Sequence, residues 1–225
     1  MTLVRAAIAI ALKDLRIEAR NRTALLTAVT FAVLVQLVFL FAREPGAVRL
    51  GVLAPSVLWI TLALSGLVVL NRGFLLEREH AALEAILLAP VPRSALFWGK
   101  WLANTALVAG VLAIAFPVWI LFFNVVPQPA LLGVLGLAVL AAVGFTAAGT
   151  LFAAMTARTR YAELLLPVLL LPFLIPPLFA GAQASVRLLA GRPFGELAGW
   201  LRILAAYDVV FLMLAALLFP TVVDE

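Results

Sequence analysis

Six long apolar stretches constrain the fold of this chain more than any other feature of its sequence. A helix needs about 20 mostly apolar residues to cross the hydrocarbon core of a bilayer. The turn-forming segment 124–129, with its two prolines, separates the third stretch from the fourth. The predicted membrane spans are about 24–42, 50–71, 101–123, 130–156, 162–182 and 203–223.

The composition is that of a membrane protein. Hydrophobic residues make up 66% of the chain and charged residues 12%, whereas a soluble domain has about 45–50% apolar and about 25% charged residues. No hydrophilic segment is long enough to form a separate soluble domain. We therefore predict an all-α, polytopic membrane protein with a single transmembrane domain over residues 1–225.

The residues that catalysis or cofactor binding would require are missing from the sequence. Cysteine is absent and His80 is the one histidine, which we interpret as a solvated surface residue. Gly99-Lys100 resembles the end of a phosphate-binding loop, but Ser94 and Trp101 stand where that motif needs glycine and a hydroxyl. We expect no catalytic residues, no bound cofactor and no metal, so ATP hydrolysis would have to come from another chain. The net charge of +5 is too small to suggest nucleic acid.

The basic residues are distributed unequally between the two sides of the predicted spans. Eleven of the 16 Lys and Arg residues flank one side, which includes the N-terminal segment, and five flank the other. Short loops rich in Lys and Arg remain in the cytoplasm. The sequence thus predicts that the N-terminus and the C-terminus are both cytoplasmic.

The first 22 residues carry apolar side chains at helical spacing with basic residues between them. Val4, Ile8, Leu12, Leu15 and Ala19 form the apolar stripe. This pattern predicts an amphipathic helix that lies in the membrane interface and binds anionic headgroups. The alternative is a basic segment that only sets the topology.

The second cytoplasmic connection, residues 77–93, contains a short amphipathic segment. A helix over about 77–89 would end at Pro90 and Pro92. Its apolar face is suited to receiving force from a soluble partner, and packing on the headgroups is the alternative interpretation. The predicted contact residues are Glu79, Leu83, Glu84, Leu87, Leu88, Pro90 and Arg93.

The fifth span contains four prolines, Pro167, Pro172, Pro176 and Pro177. Each proline removes a backbone donor, so the carbonyl groups left unbonded need protein or water as partners. We expect this span to pack against protein. It is either a functional helix near a conduction or dimer seam, or a structural kink.

The outer connection and the last span suggest interfacial features. Segments around 186–189 and 197–204 predict two short outer helices hinged at Gly191–Gly195. Tyr207 is expected at headgroup depth. Asp208 is expected near the interface and within reach of Arg202, so the sequence indicates no deep ionisable relay.

Two stretches resemble known families. Residues 79–93, followed by Gly99-Lys100, resemble the first cytoplasmic loop of type-2 ABC exporter permeases. The segment 158–172, with its Tyr-Ala-Glu-Leu-Leu-Leu-Pro run, and the residues 176–184 resemble the haem exporter protein B (CcmB) family, as do residues 13–20. The motif residues are Arg160, Tyr161, Glu163, Pro167, Pro172, Pro176, Pro177 and Gln183.

This resemblance implies a type-2 ABC exporter permease fold in the bacterial inner membrane. It implies a role in haem export and cytochrome c maturation, with residues 77–93 as the helix seated on the ATPase. Haem is then the possible cargo, ATP binds a partner subunit, and the permease is present in two copies. The implied partners are a CcmA-like ATPase, CcmC-like and CcmD-like membrane subunits and a CcmE-like periplasmic haem chaperone. An exporter of a drug, lipid or polysaccharide, or a scaffold without transport, remains the alternative.

Overall fold

The computed structural model describes residues 2–42, 50–79, 92–156, 159 and 161–224. Within these residues the chain forms helices connected by short turns, and no strand occurs among them. The helices are α1 (Leu3–Asn21), α2 (Thr23–Ala42), α3 (Leu50–Glu79), α4 (Arg93–Phe122), α5 (Ala130–Thr156), α6 (Ala162–Leu189) and α7 (Phe194–Asp224).

Helices α2 to α7 are each long and apolar enough to cross a membrane. The remaining helix, α1, is the amphipathic N-terminal segment. The prediction of an all-α membrane protein with six spans is therefore confirmed. The spanning segments are Thr23–Ala42, Val52–Asn71, Arg93–Phe122, Ala130–Thr156, Leu164–Leu189 and Phe194–Val223.

Several helices extend beyond the predicted spans. Helix α4 begins at Arg93, whereas the third span was predicted from 101, and α6 continues to Leu189. The prediction of two separate short outer helices is wrong, because their residues form the last turns of α6 and the first turns of α7. The chain reverses between them at Gly191, whose φ of 67° favours glycine.

A one-residue corner at Arg22 separates α1 from α2. Arg22 adopts a left-handed conformation with φ 54°, which ends α1. The buried carboxylate of Glu18 then accepts a 2.8 Å hydrogen bond from the backbone N–H of Leu25. This bond satisfies a donor in the first turn of α2 that has no partner within its own helix.

Helix α5 lies at the centre of the bundle and packs against α3, α4, α6 and α7. Its glycines allow this close packing, because a side chain at Gly144 or Gly149 would overlap Asp208 or Leu70 respectively. Gly136 faces open space. Small residues in this span therefore permit close helix contact, as the sequence predicts.

Candidate functional site

The predicted coupling segment joins the end of α3 to the start of α4. Glu79 is the last residue of α3 and Arg93 is the first residue of α4. Pro92 precedes α4 in an extended conformation. The coupling role therefore stays a prediction. The residues of this set that lie outside the described part of the chain are Leu83, Glu84, Leu87, Leu88 and Pro90.

The beginning of α4 is covered by α1 through small residues. A Cβ atom at Gly99 would lie 2.7 Å from Ile10 Cβ and 2.8 Å from the carbonyl oxygen of Ala7. Ala6 and Ala11 on the same side of α1 are buried. Glycine at position 99 thus allows the two helices to approach closely.

Lys100, the residue after Gly99, forms an ion pair between the two helices. Its Nζ lies 2.8 Å from Asp14 Oδ2, and the Lys100 side chain is only 5% exposed. Lys13 Nζ lies 2.8 Å from the other oxygen of Asp14. Because the pairing satisfies the charge of Lys100, this buried lysine contributes to the packing of α1 on α4.

The apolar stripe of α1 faces away from the bundle. Val4, Ile8 and Leu12 are exposed, whereas the alanines of the opposite side are buried. In a membrane protein, exposed large apolar side chains on a basic amphipathic helix are suited to lipid. The in-plane orientation of α1 stays a prediction.

Four prolines lie within the continuous helix α6. Leu166, Leu170 and Leu174 form the buried side of this helix, which packs against α3, α5 and α7. The opposite side, including Val168 and Ile175, is exposed. One face of the proline-rich helix therefore packs against protein and the other is free for lipid or a partner.

The remaining motif residues are spread along α6. Tyr161 precedes the first turn of α6 and is 69% exposed, whereas Gln183 lies near the other end. Glu163 lies in the first turn, and Arg160 is outside the described residues. The structure does not bring the described motif residues together into one pocket, because about 33 Å of helix separates position 161 from position 183.

A tryptophan from α3 packs against the C-terminal half of α6. The indole of Trp59 packs on Gly181, where any side chain would overlap the ring. Trp59 Nε1 donates a 3.0 Å hydrogen bond to Ser185 Oγ. The sequence did not predict this contact, because Trp59 and Ser185 are 126 residues apart and neither residue type indicates such a pairing.

Gln183 belongs to a polar cluster near the C-terminal end of α6. Arg187 Nη1 donates a 2.7 Å hydrogen bond to Gln183 Oε1, and the guanidinium carbon lies 5.2 Å from the centroid of the Trp200 ring. The cation–π contact joins α6 to α7. The arrangement places one positive charge where these two helices meet.

Tyr207 and Asp208 are buried inside the bundle, which corrects two predictions. Their exposed fractions are 8% and 5%. Since α7 begins at Phe194 and not at 203, Asp208 lies about 21 Å along this helix and not near its start. Arg202 is exposed and makes no ion pair with Asp208. Both predictions were wrong because the helix begins nine residues before the predicted span.

A buried polar seam joins α4 to α5. Asn104 Nδ2 donates to Thr150 Oγ1 at 3.0 Å, and the hydroxyls of Thr105 and Thr146 lie 2.7 Å apart. Trp101 Nε1 donates to the carbonyl oxygen of Val143 at 3.0 Å. Among the described residues no cluster of His, Cys, Asp and Glu suited to a metal ion occurs.

Comparisons with a family model and with known proteins indicate the same family. The model of the family described as "CcmB protein" matches residues 5–224. The chain is 32% identical over 183 residues to heme exporter protein B of Paracoccus denitrificans (strain Pd 1222), which covers 81% of this chain and 84% of that protein. It is 31% identical over 180 residues to heme exporter protein B of Bradyrhizobium diazoefficiens, covering 80% of each. The protein of the same name from Rhodobacter capsulatus is 30% identical over 171 residues, 76% of this chain and 78% of that protein.

Proposed function

This chain belongs to the CcmB protein family, and we propose that it is the membrane permease subunit of an ATP-driven complex for haem export and cytochrome c maturation. The observation that carries the proposal is the family match over nearly the whole chain. The relatives named heme exporter protein B align with 81% and 80% of the chain. The six apolar helices supply the membrane component such a complex needs.

In this proposal, the energy that drives the complex comes from ATP hydrolysis by a separate subunit. The sequence has no phosphate-binding loop, and Lys100 is engaged with Asp14. A CcmA-like ATPase would contact residues 77–93 on the cytoplasmic side. These residues connect α3 directly to α4, and both helices pack against α5 in the bundle core. Movement of the connection would therefore reach the core through two long, rigid helices.

The complex in this proposal contains further subunits. CcmC-like and CcmD-like membrane proteins and a CcmE-like periplasmic chaperone would complete it, with two copies of this chain for two ATPase subunits. The exposed side of α6, which includes Val168 and Ile175, offers a membrane-embedded surface for such contacts. The complex would lie in a bacterial inner membrane. It would use ATP either to deliver haem or to release the haem-loaded chaperone on the periplasmic side.

Co-purification tests the coupling interpretation. Leu83→Glu combined with Leu87→Glu should reduce recovery of the ATPase subunit with this chain in mild detergent, while the amount inserted in the membrane stays unchanged. Thr159→Glu is the matched control, because Thr159 lies in the other short connection on the same predicted side, between α5 and α6. Equal recovery of the ATPase with both variants would contradict contact through residues 77–93.

The cargo needs a separate measurement. In liposomes containing the reconstituted complex, haem or haem-loaded chaperone should stimulate ATP hydrolysis. Stimulation by an unrelated drug, lipid or polysaccharide in place of haem would favour an exporter of another cargo. ATP hydrolysis that responds to none of these compounds would favour a scaffold.

A further inference from the structure

Asp208 lies at mid-depth of the helix bundle, far from both ends of α7. It is about 21 Å along the helix axis from Phe194 and about 24 Å from Asp224. Its neighbour on α5, Gly144, lies about 21 Å from Ala130. Both positions are thus central in their helices, where a carboxyl group is surrounded by apolar protein and lipid.

Neither oxygen of this carboxyl group has a hydrogen-bond partner among the described residues, and both are sealed from solvent. Oδ1 lies directly against Gly144, where any side chain would overlap it. The ring of Tyr207 lies against the same glycine, and its hydroxyl is also buried without a partner among the described residues. The site is therefore closed to any ligand as large as a water molecule.

Among the residues that the structure describes, no opposite charge lies at this depth to balance an ionised carboxylate. Helix α5 has no titratable side chain, and those of the other helices that pack against α7 lie toward helix ends. On α7 itself, Tyr207 is the single titratable neighbour at the same depth. The more distant groups are Arg93 and Lys100 on α4, Glu163 and Arg187 on α6, and Glu196, Arg202 and Asp224 on α7.

An unpaired charge inside an apolar bundle costs far more free energy than a neutral acid does. The one ligand that fits a sealed carboxyl group is a hydrogen ion bound to one of its own oxygens. We propose that Asp208 is a proton-binding site at the centre of the bundle, which holds its proton while α7 is seated on Gly144 of α5 and releases it when these helices separate.

The contact with Gly144 links the proton to the helix packing. An ionised Asp208 needs water, and water reaches it only if α7 moves away from α5. Protonation therefore favours the closed contact, and opening of the contact favours release of the proton. A rearrangement of α5 against α7 during transport would then bind or release a proton near the middle of the membrane. This inference does not depend on the identity of the cargo.

Infrared spectroscopy of the purified chain in lipid nanodiscs tests the proposal. At neutral pH the unmodified chain should show the carbonyl stretch of a protonated carboxylic acid, and Asp208→Asn should lose that band. Raising the pH should remove the band from the unmodified chain. Absence of the band at neutral pH, or its persistence in Asp208→Asn, would overturn the assignment of the proton to Asp208.

Two glycine variants test whether the proton on Asp208 depends on the α5–α7 contact. Gly144→Ala should weaken the band at neutral pH, because the added methyl group displaces α7 and admits water. Gly136→Ala is the matched control, since Gly136 is on the same helix and faces open space. An unchanged band in Gly144→Ala would overturn the link.

The unfolding midpoints of the unmodified chain and of Asp208→Asn provide a second test. Asp208→Asn should have a higher unfolding midpoint than the unmodified chain, because its amide needs no proton to stay neutral. The difference should grow as the pH rises from acid toward neutral, where an unfolded aspartate ionises. A difference independent of pH would contradict a proton bound in the folded state, whether or not Gly144→Ala folds.

Discussion

Lys100 Nζ lies 2.8 Å from Asp14 Oδ2, so a nearly buried ion pair fastens the N-terminal helix α1 to the beginning of α4. Gly99, the residue before Lys100, removes the side chain that would keep the helices apart. Charge and close packing thus act at adjacent positions of α4. In the proposed permease this contact braces the helix that follows the coupling segment.

Lys100→Met should destabilise the protein, because among the described residues it leaves Asp14 with the partly exposed Lys13 as its one ion-pair partner. The expected loss is about 1–3 kcal/mol, between the values for exposed and for fully buried ion pairs. Thermal unfolding in detergent, followed by tryptophan fluorescence, measures it. Adding Asp14→Asn should restore part of the loss. Arg16→Met, at an exposed position of α1, is the control and should change the midpoint little.

Glu18→Ala should loosen the corner between α1 and α2. The substitution removes the acceptor for the Leu25 N–H, at a cost of about 1 kcal/mol, as for other lost helix caps. Hydrogen exchange of the Leu25 amide should become faster. Glu18→Gln retains an acceptor oxygen, so its Leu25 amide should remain better protected than in Glu18→Ala. Equal exchange in the alanine variant and the unmodified chain would show that the bond does not protect the corner.

Gly181→Ala should disrupt the contact between α3 and α6. The new methyl group overlaps the Trp59 ring, and the displacement should cost about 1–3 kcal/mol. It should also break the Trp59–Ser185 hydrogen bond and shift the tryptophan emission. Gly199→Ala is the matched control, because nothing lies near that position and alanine favours a helix. A similar unfolding midpoint for both variants would be evidence against a tight Trp59–Gly181 contact.

Single cysteine substitutions should report the orientation of the chain in the membrane, because the natural sequence contains no cysteine. A membrane-impermeant thiol reagent added outside intact spheroplasts should label Gly195→Cys, at the start of α7. Thr159→Cys, between α5 and α6, should react only in inverted vesicles. Ala32→Cys is the control and should react in neither, because Ala32 is fully buried. The reverse pattern would place both termini outside the cytoplasm.

The number and kind of the membrane-spanning helices could be predicted from the amino-acid sequence alone. Lipid requires about 20 apolar residues in each span and leaves no alternative to helices for them, so the six spans could be found by counting. The turn at 124–129 and the need for close packing along 130–156 were also visible, because proline and glycine act through local backbone geometry. The motif around Tyr161 and Pro167 indicated the family, because a motif of neighbouring residues can be recognised without knowledge of the fold.

The positions of the polar groups depend on how the helices pack, which the sequence did not reveal. Lys100 and Asp14 are 86 positions apart, and nothing in the charge pattern showed that α1 would pack on α4. Asp208 was expected near the interface because span lengths were drawn at the minimum that a bilayer needs, whereas α7 extends to Phe194. Apolar residues are distributed almost evenly around a membrane helix, so their pattern does not specify which side of the helix faces a neighbour. The choice of partners depends on shape complementarity between distant residues, such as Gly144 with Asp208 and Gly181 with Trp59.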